Sequence, residues 1–294
     1  MDESVTSRWL SVEIALTADR HDATCALLEA AGALAVSSAD AADRPVLEPP
    51  PGSTPLWPTL VVSALFEGDY DPAPLLGLLA AAGVAVLRCA PVADQDWARV
   101  GQDVPARHFG GALWVVPRDA PDPAPGAVVV RLDAGLGFGT GGHPTTALCL
   151  RWLAAHPPAG ADVIDWGCGS GILAVAAARL GARHVWALDI DAQALTATRD
   201  NAARNAVAAG IEVLAADALP AAARADLVIA NILAPVLVAL APRLLAALRP
   251  GGALLLSGLL QSQVAEVARA FEPAVRFDEP TIDQGWARLS GTRQ

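Results

Sequence analysis

Residues 163–171 read Val-Ile-Asp-Trp-Gly-Cys-Gly-Ser-Gly, and this stretch decides the fold. The apolar run that ends in Asp165 predicts a buried strand. Glycine then recurs at every second position, at Gly167, Gly169 and Gly171. Because glycine has no Cβ, such a turn lets the backbone approach a ligand that any side chain would hold away. The stretch therefore predicts a strand, a ligand-binding turn and a helix.

A second apolar strand, residues 184–189, also ends in an acid, Asp189. Asp189 lies twenty residues after Gly169, which suits an acid that grips ribose hydroxyls bound over the neighbouring strand. We therefore expect an adenosine-containing cofactor at the carboxyl ends of a parallel sheet. The residues predicted to bind it here are Asp165, Gly167, Gly169 and Asp189.

The spacing of the glycines selects among such cofactors. A dinucleotide fold needs G-x-G-x-x-G, because the third glycine lets the helix pack closely and the pyrophosphate sits at its start. Here Ile172 occupies the position that needs glycine or alanine, and no lysine followed by Ser or Thr makes a P-loop. Since the loop offers nothing to phosphate, the pattern favours S-adenosylmethionine over NAD or ATP.

Composition sets the broad class. The 294 residues are enough for two domains, and although 53% are hydrophobic, no apolar run reaches membrane-spanning length. The four cysteines and five histidines are scattered, and the acidic N-terminus lacks a secretory signal, which predicts a cytoplasmic protein without a metal site. The net charge of −11 argues against direct nucleic acid binding and suits a basic protein substrate. A monomer is expected.

The predicted elements divide the chain into three parts. Residues 1–91 follow the order βαββαβ, which is typical of a small ferredoxin-like α+β domain. Its role is open between substrate recognition and a folding appendage. Residues 92–126, rich in Asp, Arg, Gly and Pro, are predicted to be a connector. Residues 127–294 alternate strands with helices, which predicts a Rossmann-like α/β domain with a mostly parallel sheet.

In this last part the strands are predicted at 127–132, 162–166, 184–189, 211–215, 226–230, 252–257 and 285–290. The helices are predicted near 144–155, 171–180, 192–208, 235–248 and 261–271. The pair Gly251-Gly252 after Arg249-Pro250 is read as a helix stop.

Two further segments carry polar residues suited to the same ligand. Residues 132–146 hold five glycines and Phe138, which predicts a mobile loop that covers the site and leads into a helix. Amides and a Thr hydroxyl at that helix start could hold the carboxylate of a methionine moiety. The predicted strand 226–230 is followed by Asn231, at the edge where open sheets bind ligands, although Asn is also a common helix cap.

Residues 138–146, read with Asn231-Ile232-Leu233-Ala234, resemble the PrmA family of ribosomal protein L11 methyltransferases. The likeness runs from residue 128 to the C-terminus, and the strand-two acid and glycine loop are shared by all Rossmann-like class I methyltransferases. The family's cofactor contacts correspond to Thr146, Gly167, Asp189 and Asn231. The resemblance implies transfer of methyl groups from S-adenosylmethionine to lysine side-chain and N-terminal amines of ribosomal protein L11.

Such a reaction makes modest chemical demands. The sulfonium methyl is already activated, and burial beside that cation lowers the pKa of the acceptor amine, so no dedicated base is required. Asn231, the expected catalytic residue, could accept a hydrogen bond from the amine and aim its lone pair. His143 is either a base or a structural residue. Asp217, after the third strand, is predicted to meet the adenine amine or else to form a turn.

Three alternatives remain at this point. The first is another class I methyltransferase that acts on a different protein or small-molecule amine. Enzymes acting on planar amides or bases carry an aromatic ring after the Asn, and Ile232-Leu233-Ala234 has none. The second is an NAD(P)-dependent oxidoreductase, which Ile172 disfavours. The third is a binding protein that keeps the fold without catalysis.

Overall fold

A computed structural model of the chain describes residues 9–42, 56–92, 106–132 and 142–294. The chain divides after Trp97 into two compact units. In the described part of the chain, no helix combines the length and apolar character that crossing a membrane requires.

The first unit is a four-stranded antiparallel sheet with two helices. Its elements are β1 (Trp9–Thr17), α1 (His21–Ala30), β2 (Ala35–Asp40), β3 (Thr59–Glu67), α2 (Ala73–Ala81) and β4 (Ala85–Val92). The strand order is β2-β3-β1-β4, which confirms the ferredoxin-like prediction. Alternate residues of β1 and β3, such as Val12, Ile14 and Phe66, are fully buried, because period-two alternation turns one face of a strand inward.

The second unit begins with a small separate sheet. It contains β5 (Arg107–His108), β6 (Leu113–Pro117) and β7 (Val128–Leu132). The sequence pattern groups 127–132 with the strands of the main sheet, but β7 pairs in parallel with β6 instead. The amide of Asn205 accepts from the backbone N of Arg131 at 2.7 Å and donates to its O at 2.8 Å. A side chain thus satisfies backbone groups of β7 that a neighbouring strand would otherwise pair.

The main sheet follows a doubly wound plan. Its elements are α3 (Pro144–Ala155), β8 (Asp162–Trp166), α4 (Ile172–Arg179), β9 (His184–Asp189), α5 (Ala192–Arg204), β10 (Ile211–Ala215), β11 (Ala225–Asn231), α6 (Ala234–Ala247), β12 (Leu248–Leu260), α7 (Val264–Phe271), β13 (Val275–Phe277), β14 (Thr281–Asp283) and β15 (Trp286–Arg293). The order is β10-β9-β8-β11-β12-β15-β13, with β15 antiparallel to β12 and β14 paired on β15. Strands β8 to β12 are parallel, as predicted.

Several details of the structure differ from the sequence prediction. Helix α5 ends at Arg204, not 208, and Asn205 bonds back to the O of Asn201 at its end. Helix α6 ends at Ala247, and the glycine pair 251–252 lies within β12. A Cβ on Gly252 would come within 3.0 Å of the backbone O of Asp226, so Gly252 lets the strand lie close against β11, whereas Gly251 has open space around it and a left-handed φ of +76°. The short strands β13 and β14 were not predicted.

Strands β8 and β11 lie side by side at the centre of the sheet. The chain leaves β8 through α4 toward β9 and leaves β11 through α6 toward β12, so the two connections diverge. Residues on the opposite faces of β8 belong to two different core clusters, with Val163 in one and Ile164 in the other. This divergence is the switch point at which open α/β sheets bind ligands at their carboxyl edge.

Candidate functional site

The glycine loop is bonded to the tip of β9. The backbone N–H groups of Gly167 and Cys168 both donate to the O of Leu188, at 2.8 and 2.9 Å. The N–H of Gly171 donates to the O of Cys168 at 2.7 Å. These amides point into the protein, so they do not form the cradle of free N–H groups that a phosphate needs. The loop geometry therefore agrees with a ligand that lacks phosphate.

Asp189 is held by three backbone donors. Its Oδ2 accepts from Gly169 N at 2.9 Å, and its Oδ1 accepts from Ile190 N and Asp191 N at 2.8 and 3.0 Å. An ionised carboxylate offers about four lone-pair positions, so one remains at Oδ2 for a ligand hydroxyl. The acid is thus oriented in advance at the tip of β9.

Two glycines of the loop are required by close packing. Gly167 has φ +79°, and a Cβ there would lie 2.3 Å from Cγ2 of Ile232. Gly171 has φ +78°, and its Cβ would lie 2.8 Å from the Thr198 side chain on α5. The first contact joins the ends of β8 and β11, and the second lets α4 pack on α5. The predicted close approach at Gly167 is therefore partly to the protein itself.

Asp165 lies beneath the loop and is 1% exposed. Its Oδ2 accepts from Ala174 N, in the first turn of α4, at 3.0 Å, while its Oδ1 is buried and has no hydrogen-bond partner among the described residues. The pKa of this carboxyl is raised to about 7, chiefly by burial and to a smaller extent by the nearby Asp189, against the lowering effect of the Ala174 hydrogen bond. The side chain fixes the helix start and leaves one buried acceptor atom unused.

Asn231 and Thr146 meet across the site. Asn231 is the last residue of β11, and its Nδ2 donates to Oγ1 of Thr146 at 3.3 Å. Thr146 lies in the first turn of α3 and is 3% exposed. Residues 85 positions apart in sequence thus come together beside the glycine loop. With Nδ2 directed to Thr146, the Asn231 carbonyl oxygen is the atom left to accept from a ligand.

His143 is the N-cap of α3. Its Nδ1 accepts from Thr145 N at 3.4 Å and lies 2.7 Å from Thr145 Oγ1. Its ring packs edge-on against Trp286, with centroids 4.8 Å apart, and burial lowers its pKa. A neutral ring with Nδ1 engaged in capping favours the structural interpretation over a general base.

Of the two remaining predicted site residues, the structure describes Asp217 but not Phe138. Asp217 is exposed, two residues after β10, whose end pairs with Asp189, so it lies at the same edge of the sheet. Phe138 lies outside the described residues, so its predicted place over the site stays a prediction.

Two residues at this edge were missed by the sequence reasoning. Ile190 directly follows Asp189 and is 93% exposed, which is unusual for a large apolar side chain. Trp286 opens β15 and contacts His143. Ile190 could have been found from the sequence, because it is an apolar residue directly after the acid that ends a strand. Trp286 could not, because only the packing of β15 against α3 places it at this edge.

A central switch point, a phosphate-free glycine loop and an antiparallel last strand define a class I methyltransferase of Rossmann-like fold. Among the described residues, no group of three or more His, Cys, Asp or Glu side chains is arranged to hold a metal. The NAD(P) oxidoreductase alternative is not supported by this loop.

Comparison with known proteins gives the family. Residues 8–294 match the family described as "Ribosomal protein L11 methyltransferase (PrmA)", and the chain belongs to this family. Ribosomal protein L11 methyltransferases of Shewanella amazonensis and Marinobacter nauticus are 43% and 46% identical to it, over 97% of this chain and 99% of each relative. The crystal structure of ribosomal protein L11 methylase from Lactobacillus delbrueckii subsp. bulgaricus is 33% identical, with a TM-score of 0.59, and covers 64% of this chain and 98% of its own.

These matches confirm the family, the fold class and the methyltransferase activity that the sequence predicted. They also confirm the cofactor, because enzymes of this family use S-adenosylmethionine. The individual site residues remain predictions.

Proposed function

We propose that this protein transfers methyl groups from S-adenosylmethionine to lysine side-chain and N-terminal amines of ribosomal protein L11. The observation that carries the proposal is the contact of Asn231 with Thr146 at the carboxyl edge, beside a loop whose amides are used internally. An amide carbonyl next to a phosphate-free cofactor site suits an amine acceptor. Relatives that match over nearly their whole length carry the name of this activity.

The residues present fit S-adenosylmethionine. Asp189 has a lone pair for the ribose, and the exposed side chain of Ile190 can cover an adenine ring, with Asp217 at its amine. Thr146 and the start of α3 suit the methionine carboxylate. The unused Oδ1 of Asp165, buried beneath the loop, suits a ligand donor. The proposed set of cofactor-binding residues also includes Gly167, Gly169, Phe138 and Asn231.

When bound, the cofactor supplies an activated methyl group. The chain then needs only to orient an unprotonated amine. Lysine, with a pKa near 10.4, costs about 4 kcal/mol to deprotonate near neutral pH, against under 1 kcal/mol for an α-amine. Exclusion of water lowers this cost by destabilising the ammonium form. Oδ1 of Asn231 would accept the remaining N–H of the amine and so direct its lone pair.

The N-terminal part supports a basic substrate. Residues 1–97 contain fourteen acids and four arginines, a formal charge of −10. We infer that residues 1–91 recognise the lysine-bearing protein, that 92–126 connect, and that 127–294 carry the chemistry. A field of this sign attracts cations and repels nucleic acid, so we infer a protein substrate without direct nucleic acid contact. We also propose that the protein is a monomer and acts in the cytoplasm.

The test is intact-mass spectrometry of unmethylated ribosomal protein L11 incubated with the protein and S-adenosylmethionine. The chain contains no lysine, so every methyl-lysine found belongs to the substrate. A ladder of 14 Da additions is expected, and Asn231→Ala should lose it even at a cofactor concentration that saturates the variant. The matched control is Gln294→Ala, which removes an exposed amide that follows β15 at the edge of the sheet away from Asn231. This variant should retain the ladder.

The outcomes separate the parts of the proposal. Cofactor binding without any mass change would reject the substrate and keep the methyltransferase. A full ladder with Asn231→Ala would reject the role of Asn231. Absence of cofactor binding in the unaltered protein would overturn the proposal as a whole.

A further inference from the structure

An aromatic side chain stands at the carboxyl edge beyond Asn231. Trp286 pairs with Leu260 of β12, three residues past Ser257, which pairs with Asn231. At about 3.3 Å a residue, Trp286 lies roughly 10 Å further along the strand direction. It therefore lies beyond the ends of the parallel strands, at their carboxyl edge.

The position of Trp286 is fixed from two sides. It follows a tight turn of Gln284 and Gly285, both in the left-handed region at φ +51° and +81°, which sets the direction of β15. Arg151 of α3 bonds Asp283, the pairing partner of Trp286, at 2.8 Å. A partly exposed ring is thus held against α3 rather than left free at the surface.

The ring also lies in line with the proposed acceptor site. It packs on His143, and His143 and Thr146 are three residues apart at the start of α3, so they share one side of its first turn. Thr146 contacts Asn231. The indole therefore lies on the same side of the start of α3 as the Asn231–Thr146 contact, where the proposed acceptor amine would be held.

We propose that Trp286 forms a wall of the acceptor pocket and binds the methylated ammonium head of the substrate through its aromatic face. This inference rests on the proposed function. In each transfer the amine lone pair forms the new N–C bond, while the electron pair of the broken S–C bond stays on sulfur. The nitrogen so gains positive charge, and its methyl groups weaken its hydration. Tryptophan is the aromatic side chain that attracts such cations best.

The test compares two peptides that differ only in charge. One carries trimethyl-lysine and the other its neutral isostere, in which a carbon replaces the quaternary nitrogen. Calorimetry with the intact protein and bound S-adenosylhomocysteine should show the cationic peptide binding about 5-fold more tightly, within the range of cation–π contacts. Trp286→Leu should abolish this preference, and Trp286→Phe should keep part of it.

Trp152→Leu is the matched control, because Trp152 also stacks on a histidine, His156, which caps the far end of α3, with ring centroids 4.6 Å apart. It should leave the preference unchanged. Cofactor affinity, measured for each variant, reports whether the fold is intact. An unchanged preference in Trp286→Leu with intact cofactor binding would overturn the inference while leaving amine methylation by the unaltered protein in place. Failure of the unaltered protein to methylate any amine would instead reject the proposed function.

Discussion

The two units of this protein carry very different charge. Residues 1–97 have fourteen acids and four arginines, whereas residues 98–294 have seventeen acids and sixteen arginines, so formal charges of −10 and −1 result. Several acids of the first unit, among them Glu29, Glu67 and Asp69, are exposed. The second unit uses charge internally, as in Asp162, which is bonded by both Arg183 and Arg249.

The difference separates two uses of an acid. A surplus of exposed acids creates a field that extends about a Debye length and gathers cationic partners. Acids that are bonded one by one to arginines or backbone N–H groups fix strand ends and helix starts instead. The first unit is therefore suited to attracting cationic partners, and the second to fixing the positions of its own strands and helices. The following predictions test this division, from the largest expected effect to the smallest.

Gly167→Ala should have the largest effect, and it should be confined to the second unit. Its Cβ meets Ile232 at 2.3 Å, and the left-handed φ adds strain, so we expect a loss of about 2–5 kcal/mol in stability and at least about 100-fold in cofactor affinity. The control is Gly160→Ala, with φ +73° and no atom within 4 Å, which should cost only about 1–2 kcal/mol. Thermal unfolding and cofactor titration give both values. Equal losses in the two variants would show that the approach of Ile232 is unimportant.

Asp165→Asn should stabilise the protein at high pH. The raised pKa, about 7, means that the folded form favours the neutral acid. Its stabilising contribution is fully present below the ordinary aspartate pKa and is lost as pH rises to about 7. The variant should therefore gain up to about 4 kcal/mol at pH 8 and little at pH 4, with weaker cofactor binding. A gain that does not vary with pH, measured by denaturant unfolding, would contradict this cause.

Neutralising exposed acids of the first unit should weaken substrate capture alone. We expect the triple variant Glu29→Gln, Glu67→Gln, Asp69→Asn to lose about 10-fold in kcat/KM for the protein substrate at low salt, with cofactor affinity unchanged. The difference should shrink at high salt because screening removes the field. The matched variant of the second unit is Asp200→Asn, Glu266→Gln, Glu279→Gln, which also neutralises exposed acids. An equal loss there would break the distinction between the units.

Asp162→Asn should have a smaller effect, with the opposite pH signature to Asp165→Asn. The hydrogen bond from Arg183 lowers the pKa of Asp162, and Arg249 adds to this. The carboxylate therefore contributes stability that is present above the ordinary aspartate pKa and lost as pH falls through the lowered value. We expect a loss of about 1–2 kcal/mol at pH 7 that fades in strong acid. Unfolding curves at pH 7 and pH 3 would show whether the loss fades.

Local pattern was enough to predict most of the fold. The strands β8, β9 and β10 lie where their apolar runs place them, since buried parallel strands read as continuous hydrophobic segments. Strand β7 belongs to a different sheet from the one predicted, because strand pairing depends on partners distant in sequence. Strands β13 and β14, of three residues each, are too short to carry a period. The glycine pair in β12 was read as a helix stop, but Gly252 is required by packing against β11 and Gly251 by a left-handed backbone conformation within the strand.

The sequence by itself determined the class of protein and its family, and it predicted the principal site residues, because acids, glycines and an asparagine at strand ends are local signals of a ligand edge. Only the tertiary structure decided how they are used: Gly167 makes room for Ile232, the loop amides turn inward, and Asp165 becomes a buried acid. The same holds for Trp286, which no motif marks. The physical reason is that a residue's type and spacing set what it can bond, whereas burial and distant neighbours set what it does bond.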